Sequence, residues 1–365
     1  MRVGVNLMFL ERVPTGGTET YVRELLPELE QVGAELVVFT GPRGWSVAGR
    51  RLHRGRRVEV PALGGPRGRR VLIEQTWLAA AASRRRVDVL FSPGYVAPLL
   101  ARVPLVTTIP DALAFERPEL LPPLKRAYWR MLIPLTVSRS RAILTLSESS
   151  AEQLRQRFPR HGAKMRVTYL ASCLAPGAPA PQADGAADPY FLTVAQHLTH
   201  KNIERVLRAV AAVRSRRPDV GLMVVGPTGP ATHDLERVAG ALGAGGWVRW
   251  HHALSLERLE DSYRRAVALV TVSQYEGFCL PVVEAMAVGC PVVCSDIPAL
   301  VEIAGGAARH VGVDDVTGLV SVLAQLLESP AERERLAQLG RLRALQFSWR
   351  RAADETLAAF KEAMA

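Results

Sequence analysis

Short apolar runs alternate with amphipathic stretches along almost the whole chain, and few folds accept such a pattern. Residues 3–8, 36–39, 58–60, 89–91, 105–109 and 142–146 read as buried strands. Between them lie helical patterns at 18–31, 71–82, 124–137 and 149–157. In the first, Tyr21, Leu25, Leu29 and Val32 recur at helical spacing. Gly41-Pro42-Arg43-Gly44 reads as a loop. Strands alternating with helices require parallel crossovers, so the expected class is α/β with doubly wound sheets.

The alternation breaks once. Residues 173–189 are rich in Pro, Ala and Gly and have no periodicity, which marks a linker. It then restarts, with strands at 190–195, 220–225, 268–272 and 291–295. Helices are expected at 203–214, 232–242, 256–266 and 280–288, and from Val316, Ala331 and Trp349. The expected organisation is a domain at 1–172, the linker at 173–189, a second domain at 190–346 and a terminal helix at 347–365. Such a length suits two domains, and a 48% hydrophobic content excludes a mainly disordered chain. No apolar run reaches the length of a membrane span. The stretch after Arg2, broken by Asn6, reads as a strand rather than a secretory leader. Cys173, Cys279, Cys290 and Cys294 form no paired motif, which fits reduced thiols in a cytoplasmic protein.

The net charge of +11 is unevenly placed. Residues 1–175 carry 27 Lys and Arg against 14 Asp and Glu, whereas residues 176–365 carry 19 against 21. Between Arg43 and Arg86 only Glu59 and Glu74 oppose a dense arginine run. Such asymmetry points to an anionic partner for the first half: a lipid head-group surface, a phosphate-bearing substrate or nucleic acid. Nucleic acid ranks last, because the aromatic platforms and groove-reading motifs are missing.

The segment from Ser273 to Asp296 carries the most chemistry. A buried strand runs into Glu276-Gly277, and Pro281 sits in the first turn of the next helix, where its missing N–H costs nothing. The backbone N–H groups of residues 278–282 are then donors at a positive helix end, a ready site for phosphate. Glu276 and Glu284 flank it. A carboxylate beside a phosphate suits hydroxyl groups, as on a sugar or ribose. Thr15-Gly16-Gly17-Thr18-Glu19 follows the first strand, with glycines that allow close backbone approach and Thr18 able to cap the helix. Lys201 stands at a helix start, where a cation is out of place without an anion to bind. Neighbouring His251 and His252 on one strand point to opposite faces, so they do not share a metal.

The stretch Ser273-Gln-Tyr-Glu-Gly-Phe-Cys-Leu-Pro-Val-Val-Glu-Ala-Met-Ala-Val-Gly-Cys-Pro-Val-Val resembles the E-x7-E region of retaining glycosyltransferases of family 4, with Cys279 where Gly is usual. The resemblance extends to the Gly16-Gly17 loop, His200-Lys201-Asn202, Thr107-Thr108-Ile109-Pro110-Asp111, Pro298–Gly306 and Phe347-Ser348-Trp349. It implies the GT-B fold: two Rossmann-like domains, with a last helix crossing back onto the first.

The resemblance also implies site residues. Glu276 and the backbone of Gly277, Phe278, Cys279 and Leu280 would hold the donor sugar and its phosphate, and Glu284 the ribose. Lys201 would neutralise the diphosphate, with Gly16, Gly17 and Gln196 close to it. His251 would lie near the base. Asp111 would orient the acceptor or brace its loop, and Pro110 replaces a common His. The implied reaction transfers a hexose, with mannose from GDP-mannose favoured, to a glycan, a lipid-linked or a small-molecule acceptor. It retains configuration and uses neither metal nor cofactor. The basic domain would face the inner surface of an anionic membrane that carries a lipid-diphosphate acceptor, or bind an anionic acceptor directly. The alternatives are a UDP- or dTDP-sugar donor, or a nucleotide-sugar-binding protein that has lost turnover.

Overall fold

A computed structural model of the chain describes residues 1–11, 16–61, 67–174 and 188–365. Most of the linker expected at 173–189 lies outside the described residues, as does Thr15. The chain divides into two compact units, Met1–Leu170 with Ser348–Ala365, and Ala171–Phe347.

The first unit holds a seven-stranded parallel sheet. Its strands are β1 (Arg2–Asn6), β2 (Glu35–Thr40), β3 (Arg56–Glu59), β4 (Val89–Ser92), β5 (Leu105–Thr108), β6 (Ala142–Thr145) and β7 (Met165–Val167), in the order β3-β2-β1-β4-β5-β6-β7. The helices are α1 (Gly17–Gln31), α2 (Pro42–Ala48), α3 (Arg67–Ile73), α4 (Ala79–Arg84), α5 (Leu113–Glu116), α6 (Pro123–Arg139) and α7 (Glu148–Arg157). Tyr21 of α1 is fully buried and its hydroxyl meets Thr108 Oγ1 at 3.0 Å, which fixes the helix against the end of β5.

The second unit has a six-stranded parallel sheet, β8 (Tyr190–Val194), β9 (Gly221–Val225), β10 (Val248–His251), β11 (Ala268–Thr271), β12 (Val292–Ser295) and β13 (Ala308–Val311), in the order β10-β9-β8-β11-β12-β13. Its helices are α8 (Ile203–Arg214), α9 (Thr232–Ala241), α10 (Leu256–Arg265), α11 (Leu280–Ala287), α12 (Pro298–Ala304), α13 (Val316–Glu328) and α14 (Pro330–Ala344). The final helix, α15 (Trp349–Met364), belongs to the first unit, where Phe360 packs edge-on to Phe91 of β4 at 5.2 Å. Two Rossmann-like sheets in one chain make this a GT-B architecture.

Three local expectations need correction. Gly41-Pro42-Arg43-Gly44 is not a loop: Gly41 caps α2 and Pro42 opens it, the position that proline's fixed φ suits. Thr18 does not cap α1. Gly16 takes that place with φ 55° and ψ −122°, a backbone shape open to glycine, and Thr18 lies inside the helix. The helix expected at 71–82 is interrupted by a π-turn, Glu74–Leu78. The reading for apolar runs also passed over β7 and β13, and of β10 it placed only His251 on a strand. All three are edge strands or carry Arg and His, such as Val-Arg-Trp-His in β10.

Candidate active site

The carboxyl ends of β8 and β11 lie side by side in the second sheet, and each releases a turn that leads to a helix. After β8, the turn Thr199–Lys201 leads to Asn202, which opens α8 in the left-handed region at φ 59°. Asparagine tolerates that conformation better than most residues. Its buried side chain donates to Val272 O at 3.1 Å and to Val313 O at 3.5 Å. Gln274 N donates to His200 O at 2.8 Å. These bonds bind the two turns together, and Lys201 thereby meets Glu276.

Lys201 Nζ lies 2.7 and 2.8 Å from the two carboxylate oxygens of Glu276, and Ser273 Oγ donates to Oε1 at 2.7 Å. The Glu276 side chain is 8% exposed. Burial alone would raise its pKa. The Lys201 ammonium and the hydrogen bonds from Lys201 and Ser273 outweigh that and hold the carboxyl below the usual range. The site therefore stores a desolvated charge pair, not the exposed carboxylate of a plain surface loop.

Cys279 precedes α11 with φ 80° and ψ 74°, the left-handed region where a side chain is strained. That geometry explains why glycine suits the position. Its thiol is pushed up by burial and by the Glu276 charge, so it stays protonated. Val282 N, one of the donors expected to be free, donates to Cys279 O at 3.1 Å. Phe278 is buried edge-on against Phe347, with centroids 5.8 Å apart, so it anchors the turn through its ring. Leu280 is buried at the first position of α11, and Gly277 sits half-buried between Glu276 and Phe278.

Glu284, one turn into α11, is 7% exposed. Its Oε2 accepts from the Tyr263 hydroxyl at 3.0 Å and its Oε1 from Cys173 Sγ at 3.4 Å. Burial, then the Glu284 charge, raises the Tyr263 hydroxyl far above its ordinary value, so Tyr263 is a fixed donor.

Beyond the ends of β8–β10 lies a cavity of about 160 Å³ lined by His197, Gly226, Thr228, Thr232, Glu236, Trp250, His251 and His252. His197 packs edge-on to Trp250 with centroids 5.4 Å apart, and its Nδ1 is 3.1 Å from Thr232 Oγ1. Burial, then the nearby His252, lowers its pKa, which favours a neutral ring. Gly226 has φ 153°, and a Cβ there would lie 2.0 Å from Ala195 O. The turn after β9 thus packs directly on the one carrying Gln196, whose carbonyl accepts from Leu198 N at 2.7 Å. The expectation for His251 and His252 changes here. β10 ends at His251, so strand alternation does not separate them, and both line this cavity.

Gly16, Gly17 and Asp111 belong to the first unit. Gly17 is the first residue of α1. Asp111 Oδ2 accepts from the Tyr95 hydroxyl at 2.7 Å and Oδ1 from Leu113 N at 2.9 Å, which braces the turn before α5 and follows the buried Pro110. The structure thus gathers Lys201 and residues 276–280 in one place, with Glu284 a turn further on. Sequence reasoning passed over Ser273, Tyr263 and His197. Ser273 stood inside the quoted motif, but nothing in the sequence linked Tyr263 to Glu284.

Residues 15–171 match glycosyltransferase family 4, and residues 180–343 match glycosyl transferases group 1. The MMP alpha-(1->4)-mannosyltransferase of Mycolicibacterium hassiacum is 30% identical over 421 residues, covering 100% of this chain and 99% of that protein. The O-antigen chain mannosyltransferase B of Escherichia coli is 30% identical over 268 residues, 70% of each chain. Among solved structures, sucrose-phosphate synthase from Thermosynechococcus elongatus aligns over 99% of this chain and 98% of its own with a TM-score of 0.79 at 18% identity. HepE from Anabaena, solved with UDP and glucose, aligns over 99% of each chain with a TM-score of 0.78 at 16% identity. The chain belongs to the group 1, family 4 glycosyltransferases. It is a transferase that moves a sugar.

Proposed function

We propose that this enzyme moves mannose from GDP-mannose to a hydroxyl of a growing glycan or of a lipid-linked acceptor, with retention at the anomeric carbon and without a metal ion. The observation that carries the reading is the Lys201–Glu276–Ser273 cluster beside the start of α11. The named activities of the two relatives favour mannose.

In this reading the donor diphosphate lies against Lys201 and the N-terminus of α11, which stabilise the charge that develops on the leaving group. Glu276 receives hydroxyls of the sugar, Glu284 those of the ribose, and the cavity beside His197 and His251 takes the base. The bond from the sugar's C1 to the phosphate oxygen breaks as the acceptor oxygen bonds C1 on the same face. The acceptor proton passes to the departing phosphate oxygen. The protein supplies position and electrostatics, and no carboxylate nucleophile is needed.

One surface favours a membrane-borne acceptor. On α6, Leu124, Met131 and Leu135 are 73%, 61% and 49% exposed, and Lys125, Arg126 and Arg130 flank them. Apolar side chains beside cations suit the interface of an anionic bilayer. No helix among the described residues is long and apolar enough to cross one.

The test incubates the full chain with GDP-mannose, UDP-glucose and dTDP-rhamnose, with and without methyl α-D-mannopyranoside, and follows nucleotide release and thermal shift. Release from GDP-mannose supports the reading. Release from another donor replaces it, and stabilisation without release from any donor favours a protein that has lost turnover. Sedimentation with phosphatidylglycerol vesicles tests the surface. Binding that weakens with salt and with Leu124→Ser/Met131→Ser supports docking, and salt-independent binding opposes it.

A further inference from the structure

Glu74 has no role in the site above, yet the first unit is built around it. It opens the π-turn Glu74–Leu78 and is 4% exposed. Beside it stand Asn6, the last residue of β1, and Ser92, the last of β4. These strands are neighbours, and chain connections leave them in opposite directions, to β2 and β3 on one side and to β5–β7 on the other. That is the switch point at which open α/β sheets bind ligands beyond their carboxyl ends. Asn6 Nδ2 donates to Glu74 Oε1 at 2.7 Å and to Ser92 Oγ at 3.5 Å, while Asn6 Oδ1 accepts from Met8 N at 3.2 Å.

The second carboxyl oxygen, Glu74 Oε2, is buried and takes no hydrogen bond among the described residues. Such atoms are rare because a lost solvation shell has nothing to replace it. Rotation of the helix would return the carboxyl to water, but the next residue forbids it. Gln75 Nε2 donates to Ala97 O at 3.0 Å, and Gln75 Oε1 accepts from Leu99 N at 2.7 Å. π-turns are found disproportionately where a helix must re-aim a functional side chain.

We propose that Glu74 Oε2, whose partner oxygen is held by Asn6, is the binding group for a hydroxyl of the acceptor sugar. The inference rests on the transferase reading and adds a residue to its acceptor side. The groups that act on this carboxyl are the Asn6 amide and the charge of Arg70, and a carboxyl oxygen so placed accepts from the hydroxyl of a neutral polyol. Oε2 is closed to water in this structure, so a hydroxyl reaches it only by displacing the side chains that cover it, and there it meets no competing water.

The test measures binding of methyl α-D-mannopyranoside, methyl α-D-glucopyranoside and methyl α-D-galactopyranoside to the full chain by saturation-transfer NMR. Glu74→Gln preserves shape and the bond from Asn6 but places an amide where Oε2 accepts. At least one glycoside binds the wild type, and its affinity falls about tenfold in Glu74→Gln, the size of one lost hydrogen bond. The unfolding midpoint is unchanged or higher, and the thermal shift with GDP is unchanged. Ser92→Ala gives a smaller loss and serves if Glu74→Gln fails to fold. Glycoside affinity within about twofold of wild type in the folded variants, or no glycoside binding to the wild type, overturns the inference. A lower midpoint with unchanged binding assigns Glu74 to structure alone. GDP release from GDP-mannose, measured on the same protein, separates the two claims. Intact release with no effect at Glu74 sinks only the inference. Absent release with Glu74-dependent glycoside binding sinks only the donor reading.

Discussion

Lys201 and Glu276, 75 residues apart in sequence, form a two-pronged ion pair with Nζ 2.7 and 2.8 Å from the carboxylate oxygens. Each is the other's means of staying charged in a buried place. In the proposed reading, a donor diphosphate arriving at Lys201 would meet a cation already positioned, with little left to reorganise.

Removing one partner leaves the other stranded. Lys201→Met is expected to lower stability by on the order of 3 kcal/mol, because Glu276 keeps a buried charge without its counter-ion. The double variant Lys201→Met/Glu276→Gln recovers most of that loss, but nucleotide-sugar binding stays impaired. Denaturant melts of the wild type, Lys201→Met, Glu276→Gln and the double variant, each with a donor titration, check this. Recovery of donor binding together with stability would refute the role of Lys201.

Acid should act through the same pair. The folded Glu276 carboxyl lies below its ordinary value of 4.5, so the unfolded chain binds more protons in the window beneath that value. Stability from this group is full above about pH 4.5 and falls as pH drops through the lower folded pKa. In Glu276→Gln that part of the slope is lost. Thermal melts between pH 3 and 6 on both proteins measure the difference (about one proton at most).

Cys279 offers a reversed preference. Inside a helix alanine is favoured over glycine by roughly 1 kcal/mol, but a left-handed residue just before one penalises any Cβ. Cys279→Gly is expected to be more stable than Cys279→Ala by about 1 kcal/mol. Equal unfolding free energies would mean that the strain at φ 80° is relieved in solution.

Tyr263→Phe removes only a hydroxyl, but the hydroxyl serves Glu284. The expected cost is about 2 kcal/mol, that of a buried hydrogen bond to a charged group. A rise in the donor KM without a change in acceptor KM should accompany it. An unchanged donor KM would separate Glu284 from the ribose.

Much of this was legible in the sequence. The strand–helix rhythm exposed both sheets, because buried parallel strands are apolar throughout, and the 273–293 motif located residues 276–284. Lys201 drew notice as a cation at a helix start, but its partner could not be read. The pair depends on two turns that meet only when β8 and β11 lie side by side. Tyr263 was hidden likewise, inside an ordinary amphipathic helix. Glu74 was invisible for another reason. A helical period runs through residues 71–82, and periodicity does not register one extra residue in a turn. The edge strands β7 and β13, and β10 apart from His251, escaped because their charged residues break the apolar run.

The most direct test of the central claim is proton NMR of the full chain with GDP-mannose and methyl α-D-mannopyranoside, followed in time. The account predicts that GDP appears together with a new α-linked mannose anomeric signal, and that Lys201→Ala abolishes both. An intact GDP-mannose alongside consumption of UDP-glucose or dTDP-rhamnose in the parallel tube, or a β-linked product, would contradict it.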